Sequence, residues 1–95
     1  MYYCVTYDIS NNRTRRFVVK ICKQAGLMRL QKSVFAGVSS PEQMAELEQT
    51  LQPLLSPRDR LAIIPLDKKA WNNLSLSGNH PDKSALTRSD YTRYF

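Results

Sequence analysis

Asp8 is the only carboxylate in the first 41 residues of the chain, and a dense group of basic residues follows it. A carboxylate can hold a divalent metal ion, and arginine or lysine can hold phosphate oxygens. This combination is typical of a protein that handles a polyanion; the alternative is a solvated helix with ordinary exposed basic side chains. Between Asp8 and Glu42 lie half of the 14 basic residues: Arg13, Arg15, Arg16, Lys20, Lys23, Arg29 and Lys32.

Composition narrows the class of partner. The 95 residues predict one domain, and the net charge of +6 favours nucleic acid over acidic small molecules. Cys4 and Cys22 have no metal-ligand spacing and are interpreted as small core residues. The sequence contains no signal-peptide pattern and no run of 18 apolar residues. We therefore expect a cytoplasmic protein that does not associate with membranes.

The first half of the chain predicts a strand, a helix and an extended segment. Residues 2–9 alternate and are rich in Tyr, Val and Thr, which predicts a strand with two distinct faces. Asparagines at positions 11 and 12 can cap a helix that runs to about Ala25, and Gly26 suits its C-terminal end. Residues 27–38 are extended, and their periodicity leaves open one bent strand or two short ones.

The second half predicts a helix and a buried strand. Ser40 and Pro41 are typical of a helix start, and the apolar spacing continues through Leu54. Residues 61–66 predict a buried strand, and residues 71–76 a short extra one. We expect an α+β sandwich over residues 1–76, with both helices on one sheet face, and a C-terminal tail over residues 77–95. The other sheet face would be bare, which predicts a symmetric dimer.

Several phrases of the sequence resemble the CRISPR-associated Cas-two family. They are Tyr7-Asp8-Ile9-Ser10, the arginines at 13, 15 and 16, residues 26–35 with Gln31-Lys32-Ser33-Val34-Phe35, and Asp59-Arg60-Leu61 followed by Ile64-Pro65-Leu66. The resemblance covers about residues 1–66. Members of this family partner the integrase in spacer acquisition and are also described as endoribonucleases.

The resemblance implies a ferredoxin-like βαββαβ fold that dimerises through its sheet. It implies that residues 27–38 hold two strands, and that Asp8 meets its twin near a two-fold axis where Mg²⁺ can bind. It also implies functional roles for Arg15, Arg29 and Phe35, although Phe17 stands where some members carry a basic residue. In the family the C-terminal part often adds a strand to the partner subunit, and residues 91–95 could do so here.

Each candidate site residue carries two interpretations. Asp8 binds metal, or it caps the following helix. Arg15 and Arg29 hold phosphate, or they are surface charges; Ser33 bonds phosphate, or it faces water. Phe35 stacks on a base, or it belongs to the core. The remaining candidates are expected on an exposed helix side, where they would contact duplex phosphates without reading sequence: Arg13, Arg16, Lys20 and Lys23.

Three functions follow from this reading. The first is a Mg²⁺-dependent nuclease that cuts RNA or DNA, with Asp8 as its catalytic residue. The second is a non-catalytic homodimer that holds double-stranded DNA and bridges integrase subunits. The third is a ferredoxin-like module that binds nucleic acid outside CRISPR.

Overall fold

The computed structural model describes residues 1–74, which form a four-stranded antiparallel sheet and three helices. The chain order is β1 (Tyr2–Asp8), α1 (Asn12–Gln24), β2 (Met28–Gln31), β3 (Val34–Val38), α2 (Pro41–Leu51), a 3-10 turn (Gln52–Leu54), β4 (Arg60–Leu66) and α3 (Lys68–Asn72). The strand order is β2-β3-β1-β4. This is the ferredoxin-like βαββαβ fold that we expected, with α3 added after it. The predicted tail over residues 77–95, and any strand that it gives to a partner, lie outside the described residues.

The main core lies between one face of the sheet and helices α1 and α2. Alternation along β1 directs Tyr3, Val5 and Tyr7 to this face, where each is buried. Helix α1 contributes Val18 and Cys22. The predicted apolar stripe of α2 is confirmed for Met44, Leu47 and Leu51, which are all buried. It is wrong for Leu54, which is 47% exposed, because α2 ends at Leu51 and the 3-10 turn directs Leu54 outward.

Both helices begin at the predicted capping residues. The Asn11 side chain accepts a hydrogen bond from the Thr14 amide, and Ser40 accepts one from the Gln43 amide. Helix α1 ends where Gly26 adopts a φ of 84°, a conformation that glycine reaches without a Cβ clash. Asn11 and Gly26 therefore mark the two ends of α1, and Ser40 marks the start of α2.

Residues 27–38 form two strands joined by the tight turn Lys32–Ser33. Gln31 and Val34 face each other across this turn. Ser33 has a φ of 75°, which is uncommon for a residue other than glycine and costs about 1 kcal/mol. The Ser33 carbonyl accepts a hydrogen bond of 3.2 Å from the Tyr7 amide. The turn is thereby fixed to the end of β1.

The second face of the sheet is partly covered, so the expectation of a bare face is wrong. Asp67 caps α3 by accepting a hydrogen bond of 2.7 Å from the Ala70 amide. This helix places the buried Trp71 ring 4.8 Å from the Tyr2 ring, and the two are parallel within 4°. The predicted strand over residues 71–76 is therefore wrong where the structure describes it. The residues of this second, smaller core are Cys4, Met28, Leu30, Ala36 and Trp71.

Strand β4 lies at the edge of the sheet and is not the buried strand that we predicted. Within residues 1–74 it pairs only with β1, and its residues alternate largely between exposed and half-buried. An edge position tolerates Pro65, which has no N–H to donate. Ala62 and Ile64 remain exposed on the second face, opposite Thr6 and Cys4. Among the described residues, the part of this face around Ala62 and Ile64 therefore stays open, whereas α3 covers the part around Tyr2 and Leu66.

Candidate functional site

Asp8 is the last residue of β1, and its carboxylate is exposed. Strand alternation places it on the same face as Thr6, away from α1 and α2. Within residues 1–74, no hydrogen bond or ion pair occupies this carboxylate. The N-cap of α1 is Asn11, so the interpretation of Asp8 as the helix cap is wrong. A free, solvent-facing acid is left at the end of a rigid strand.

The surroundings of Asp8 provide the smallest number of carboxylate ligands with which a protein binds magnesium, namely one. The described part of the chain contains no group of three or more His, Cys, Asp or Glu side chains that could hold a metal. Magnesium usually keeps several waters and takes one or two carboxylates together with substrate phosphates. One Asp8 carboxylate meets the lower limit of that requirement, and a second copy of the chain would add another. The magnesium site stays a prediction.

The loop that follows Asp8 is held by Asp59, which precedes β4. One Asp59 carboxylate oxygen accepts from the Ser10 amide at 3.2 Å and from the Ser10 hydroxyl at 3.4 Å. The other oxygen accepts from the Ser56 amide at 2.9 Å. The Ser56 amide bond is the main cause that lowers the pKa of Asp59. Ser10 and Asp59 are 49 residues apart in sequence, and no local pattern could have shown their contact.

Arg15 supports the same loop from the helix side. Its guanidinium donates to the Ile9 carbonyl at 3.3 Å and also donates to the Asn12 side-chain oxygen. Arg15 is half-buried, so it differs from the freely exposed cations of α1. It therefore has a structural role in addition to any contact with phosphate.

Four basic side chains from three elements line one shallow groove of about 200 Å³. We call it the cationic groove, and its lining residues are Arg15, Arg16 and Val19 of α1, Arg29 of β2, and Lys32 of the β2–β3 turn. The structure thus brings together three of the predicted phosphate ligands and adds Lys32. Sequence reasoning missed Lys32 as a site residue because its position in a turn was not evident. Asp8 is not part of this groove.

Phe35 lies beneath Arg29 and not at the surface. Its side chain is fully buried, and the Arg29 guanidinium carbon lies 5.9 Å from the ring centroid. The Tyr7 ring lies 6.3 Å from the same ring. A base cannot stack on a ring with no exposed area, so the core interpretation accounts for Phe35 here. The contact between Arg29 and Phe35 is a cation–π interaction that orients Arg29 at the groove.

The Tyr7 hydroxyl is buried and has no hydrogen-bond partner among the described residues. Burial is the main cause that raises the pKa of Tyr7, while Arg29 and Arg15 act in the opposite direction. The hydroxyl therefore stays protonated at neutral pH. It lies within electrostatic reach of two groove arginines.

A second cationic surface lies along the outer side of α1. We call it the α1 ridge; it comprises Arg16, Lys20 and Lys23, which flank a shallow depression lined also by Val19 and Gln24. The predicted exposure of these three basic residues is confirmed, as is that of Arg13 near the start of the helix. Ser33 is half-buried, and its position in the hairpin turn places it next to Lys32.

The cysteines lie in the core, as predicted. Both are free and buried, and burial raises the pKa of Cys4 and raises that of Cys22 to about 12. Their thiols therefore remain protonated at neutral pH. Within residues 1–74, no helix is long and apolar enough to cross a bilayer.

The fold and these surfaces define a small ferredoxin-like protein with a cationic helix side and a lone exposed acid. Residues 1–74 match the family described as CRISPR associated protein Cas2, so the chain belongs to the Cas2 family, called Cas-two above. A CRISPR-associated endoribonuclease Cas2 of Korarchaeum cryptofilum is 36% identical over 63 residues, which is 65% of this chain and 68% of that protein.

Solved structures and a fused relative agree with this assignment. The crystal structure of Streptococcus pyogenes Cas2 is 25% identical with a TM-score of 0.71, and the match covers 82% of this chain and all of that one. A CRISPR-associated endonuclease Cas1/endonuclease Cas2 fusion of Thermoproteus tenax is 34% identical over 70 residues, which is 73% of this chain and 26% of the fusion. These matches place the chain in a family that is described as CRISPR-associated.

Proposed function

We propose that this protein acts in spacer acquisition as a homodimer that binds the backbone of double-stranded DNA and contacts the CRISPR integrase. The observation that carries the proposal is the cationic groove. Its four basic side chains come from α1, β2 and the β2–β3 turn, and they converge although the sequence separates them. The positive charges of these side chains repel one another, and a bound polyanion is the simplest partner that would offset the repulsion.

The charge arrangement of α1 supports an anionic ligand independently. The positive end of a helix dipole favours acids in the first turn, yet the first turn of α1 has none. Arg13 and Arg15 lie there instead, against the dipole, and Arg16 follows at the start of the second turn. A local conflict of this kind is expected where function competes with stability. A phosphate near this end would be favoured by both the helix dipole and the arginines.

The exposed cations favour contact with phosphates over the reading of bases. The groove is shallow, and the α1 ridge presents its lysines and arginine on a convex helix surface. Neither surface offers a protruding element that would enter a duplex groove. Contacts of this type position a protein on nucleic acid without specifying a sequence.

The open part of the second sheet face supports the dimer. Val38 and Ile64 on this face are 45% and 42% exposed, and Asp8 lies at its end. Pairing two such faces would bury apolar area and bring two Asp8 carboxylates towards one axis. Light scattering at micromolar concentration should give about twice the 11.0 kDa chain mass, and a monomer would contradict the dimer and the shared metal site.

The integrase contact is supported by the fused relative, in which a Cas1 endonuclease and a Cas2 endonuclease form one chain. The test is co-purification with the integrase of the same locus, followed by a spacer-acquisition assay. Arg16→Ala/Lys32→Ala should reduce acquisition without reducing co-purification. Lys68→Ala/Lys69→Ala removes the same charge from α3 and serves as the control. Acquisition by the groove variant at the wild-type level would contradict the proposal.

A second candidate function is Mg²⁺-dependent endonuclease activity, which the unpaired and exposed Asp8 favours. The name endoribonuclease on the relative from Korarchaeum cryptofilum supports RNA as the substrate. Asp8 would hold the ion, which when bound polarises a phosphoryl oxygen and lowers the pKa of a bound water. The groove cations would hold flanking phosphates of single-stranded RNA or of DNA.

The positions of these residues favour binding over cleavage. Arg29 lies over Phe35 on the helix side of the sheet, whereas Asp8 is on the opposite face. A nucleic-acid strand held in the cationic groove would have to pass around the end of the sheet to reach the Asp8 of the same subunit. Asp8→Asn should abolish any metal-dependent cleavage and leave the fold and the mass of the dimer in solution unchanged. Cleavage at the wild-type rate by the purified variant would remove this second function.

A further inference from the structure

The position of Asp8 depends on how the chain continues after β1. Backbone pairing with β4 holds Asp8 itself, because Asp8 and Arg60 are the last pair of the β1–β4 ladder. Beyond this pair the ladder ends, and Ile9 and Ser10 lead into α1. A carboxylate at the last position of a strand would fray with its loop unless that loop were fixed.

Asp59 fixes this loop by extending the contact between β1 and β4 beyond the ladder. It immediately precedes β4, and its carboxylate accepts from the Ser10 amide and hydroxyl. The other oxygen accepts from the Ser56 amide, so Asp59 is held in its own turn. Asp8 therefore lies between two attachments to the same element, the ladder on one side and the Ser10–Asp59 bond on the other.

The chemistry of this contact requires a carboxylate. Each of the two oxygens accepts a backbone N–H, and an ionised carboxylate has acceptor capacity on both. An asparagine of the same shape has only one acceptor oxygen, and its NH₂ group would face an N–H donor at the other position. Asp59→Asn therefore loses one of the two carboxylate bonds that hold the loop in register, the bond to Ser10 or the bond to Ser56, while it preserves side-chain volume.

We propose that Asp59 is a positioning residue for Asp8: by holding Ser10 it keeps the Asp8 carboxylate at the end of β1 in the orientation that receives a divalent cation. The inference rests on the proposed metal function of Asp8, and it assigns Asp59 no contact with metal or substrate. Its effect is transmitted through two backbone positions, Ile9 and Ser10.

Asp67 offers a matched control within the same chain. It is also an aspartate that accepts a backbone N–H three residues away, that of Ala70 at 2.7 Å. It caps α3, however, and does not hold the loop that follows Asp8. Asp59→Asn and Asp67→Asn should each cost stability. Only Asp59→Asn should change the Asp8 loop.

The experiment measures ¹⁵N relaxation of residues 8–11 and the affinity for Mn²⁺, read from paramagnetic line broadening, in the full-length dimer. In Asp59→Asn, backbone order parameters of these residues should fall from about 0.85 towards 0.6. Mn²⁺ affinity should fall about tenfold, as for other residues that orient a metal ligand. Asp67→Asn should match the wild type in both measurements.

Three outcomes separate this inference from the proposed function. Wild-type order and Mn²⁺ affinity in Asp59→Asn would overturn the inference and leave the metal function intact. Failure of the wild type to bind Mn²⁺ would refute the metal function, and the order parameters alone would then decide whether Asp59 positions Asp8. If the Asn variant does not fold, Asp59→Glu keeps the charge, displaces the carboxylate by one methylene, and should show the same loss of order.

Discussion

Arg60 lies directly opposite Asp8 in the antiparallel pairing of β1 with β4, so both side chains project from the same face of the sheet. Side chains in such a pair have Cβ atoms about 5 Å apart. No ion pair joins them among the residues that the structure describes, and both are exposed. A metal ion that binds Asp8 would therefore be repelled by Arg60 at short range.

Removal of this charge should strengthen metal binding. Arg60→Gln should raise the affinity for Mn²⁺ about threefold at low ionic strength. The gain should shrink in 0.5 M salt, where the Debye length is about 4 Å instead of the roughly 10 Å of a 0.1 M solution. The measurement is a Mn²⁺ titration of both proteins by isothermal calorimetry. Arg58→Gln, which removes the same charge from outside the ladder, is the control. A weaker affinity in Arg60→Gln would mean that Arg60 supports the site.

Charge reversal at the two ends of α1 should separate stability from binding. Arg13 opposes the helix dipole near its N-terminus, whereas Lys23 in the last turn complements it. Arg13→Glu should stabilise the fold by about 1 kcal/mol, and Lys23→Glu should destabilise it by a similar amount. Both should weaken duplex binding. Urea unfolding and fluorescence anisotropy measure the two quantities, and a loss of stability in Arg13→Glu would contradict the dipole argument.

The helix ends were predictable because short-range chemistry determines them. Asn11, Ser40 with Pro41, and Gly26 are residues whose side chains or conformational freedom suit a helix terminus in any fold. The split of residues 27–38 was not predictable from periodicity. The Lys32–Ser33 turn contains no glycine, proline or asparagine, and Ser33 adopts its positive φ only because the surrounding strands hold it there.

The errors concern contacts that depend on the whole fold. Residues 61–66 have the apolar composition of a buried strand, but β4 lies at the sheet edge, and exposure follows from strand order. Trp71 was assigned to a strand because the helix cap at Asp67 was not recognised. The contact between Ser10 and Asp59 spans 49 residues, and no pattern within either segment indicates it.

Trp71 should contribute strongly to stability although it follows the last strand. Its ring is 2% exposed and closes the second core over Cys4 and Tyr2. Trp71→Ala should lower the free energy of unfolding by about 3–5 kcal/mol. Leu54→Ala, which removes an exposed apolar side chain, should change it by less than about 0.5 kcal/mol. Urea unfolding followed by circular dichroism compares them; equal effects would mean that α3 does not pack on the sheet.

Asp59 should make stability fall at acidic pH. The bond from the Ser56 amide holds the pKa of Asp59 below its ordinary value of 3.8 in the folded protein. A lowered pKa stabilises the folded state above the unfolded pKa, and this stabilisation is lost as pH falls through the folded pKa. The urea midpoints of wild type and Asp59→Asn should therefore differ by a constant amount above about pH 5, begin to converge near pH 3.8, and meet below the lowered pKa of the folded protein. A difference that persists at low pH would contradict the assignment.

The most direct test of the account is the salt dependence of binding to DNA duplexes of unrelated sequence. Each phosphate contact contributes about 0.9 to the log–log slope of affinity against salt concentration. Arg16→Ala/Lys32→Ala should weaken binding to every duplex about equally and flatten the slope by about one to two units, whereas Lys68→Ala/Lys69→Ala, with the same net charge, should leave the slope near that of the wild type. An unchanged slope in the groove variant, or a flatter slope in the α3 variant alone, would contradict the cationic groove as the nucleic-acid surface.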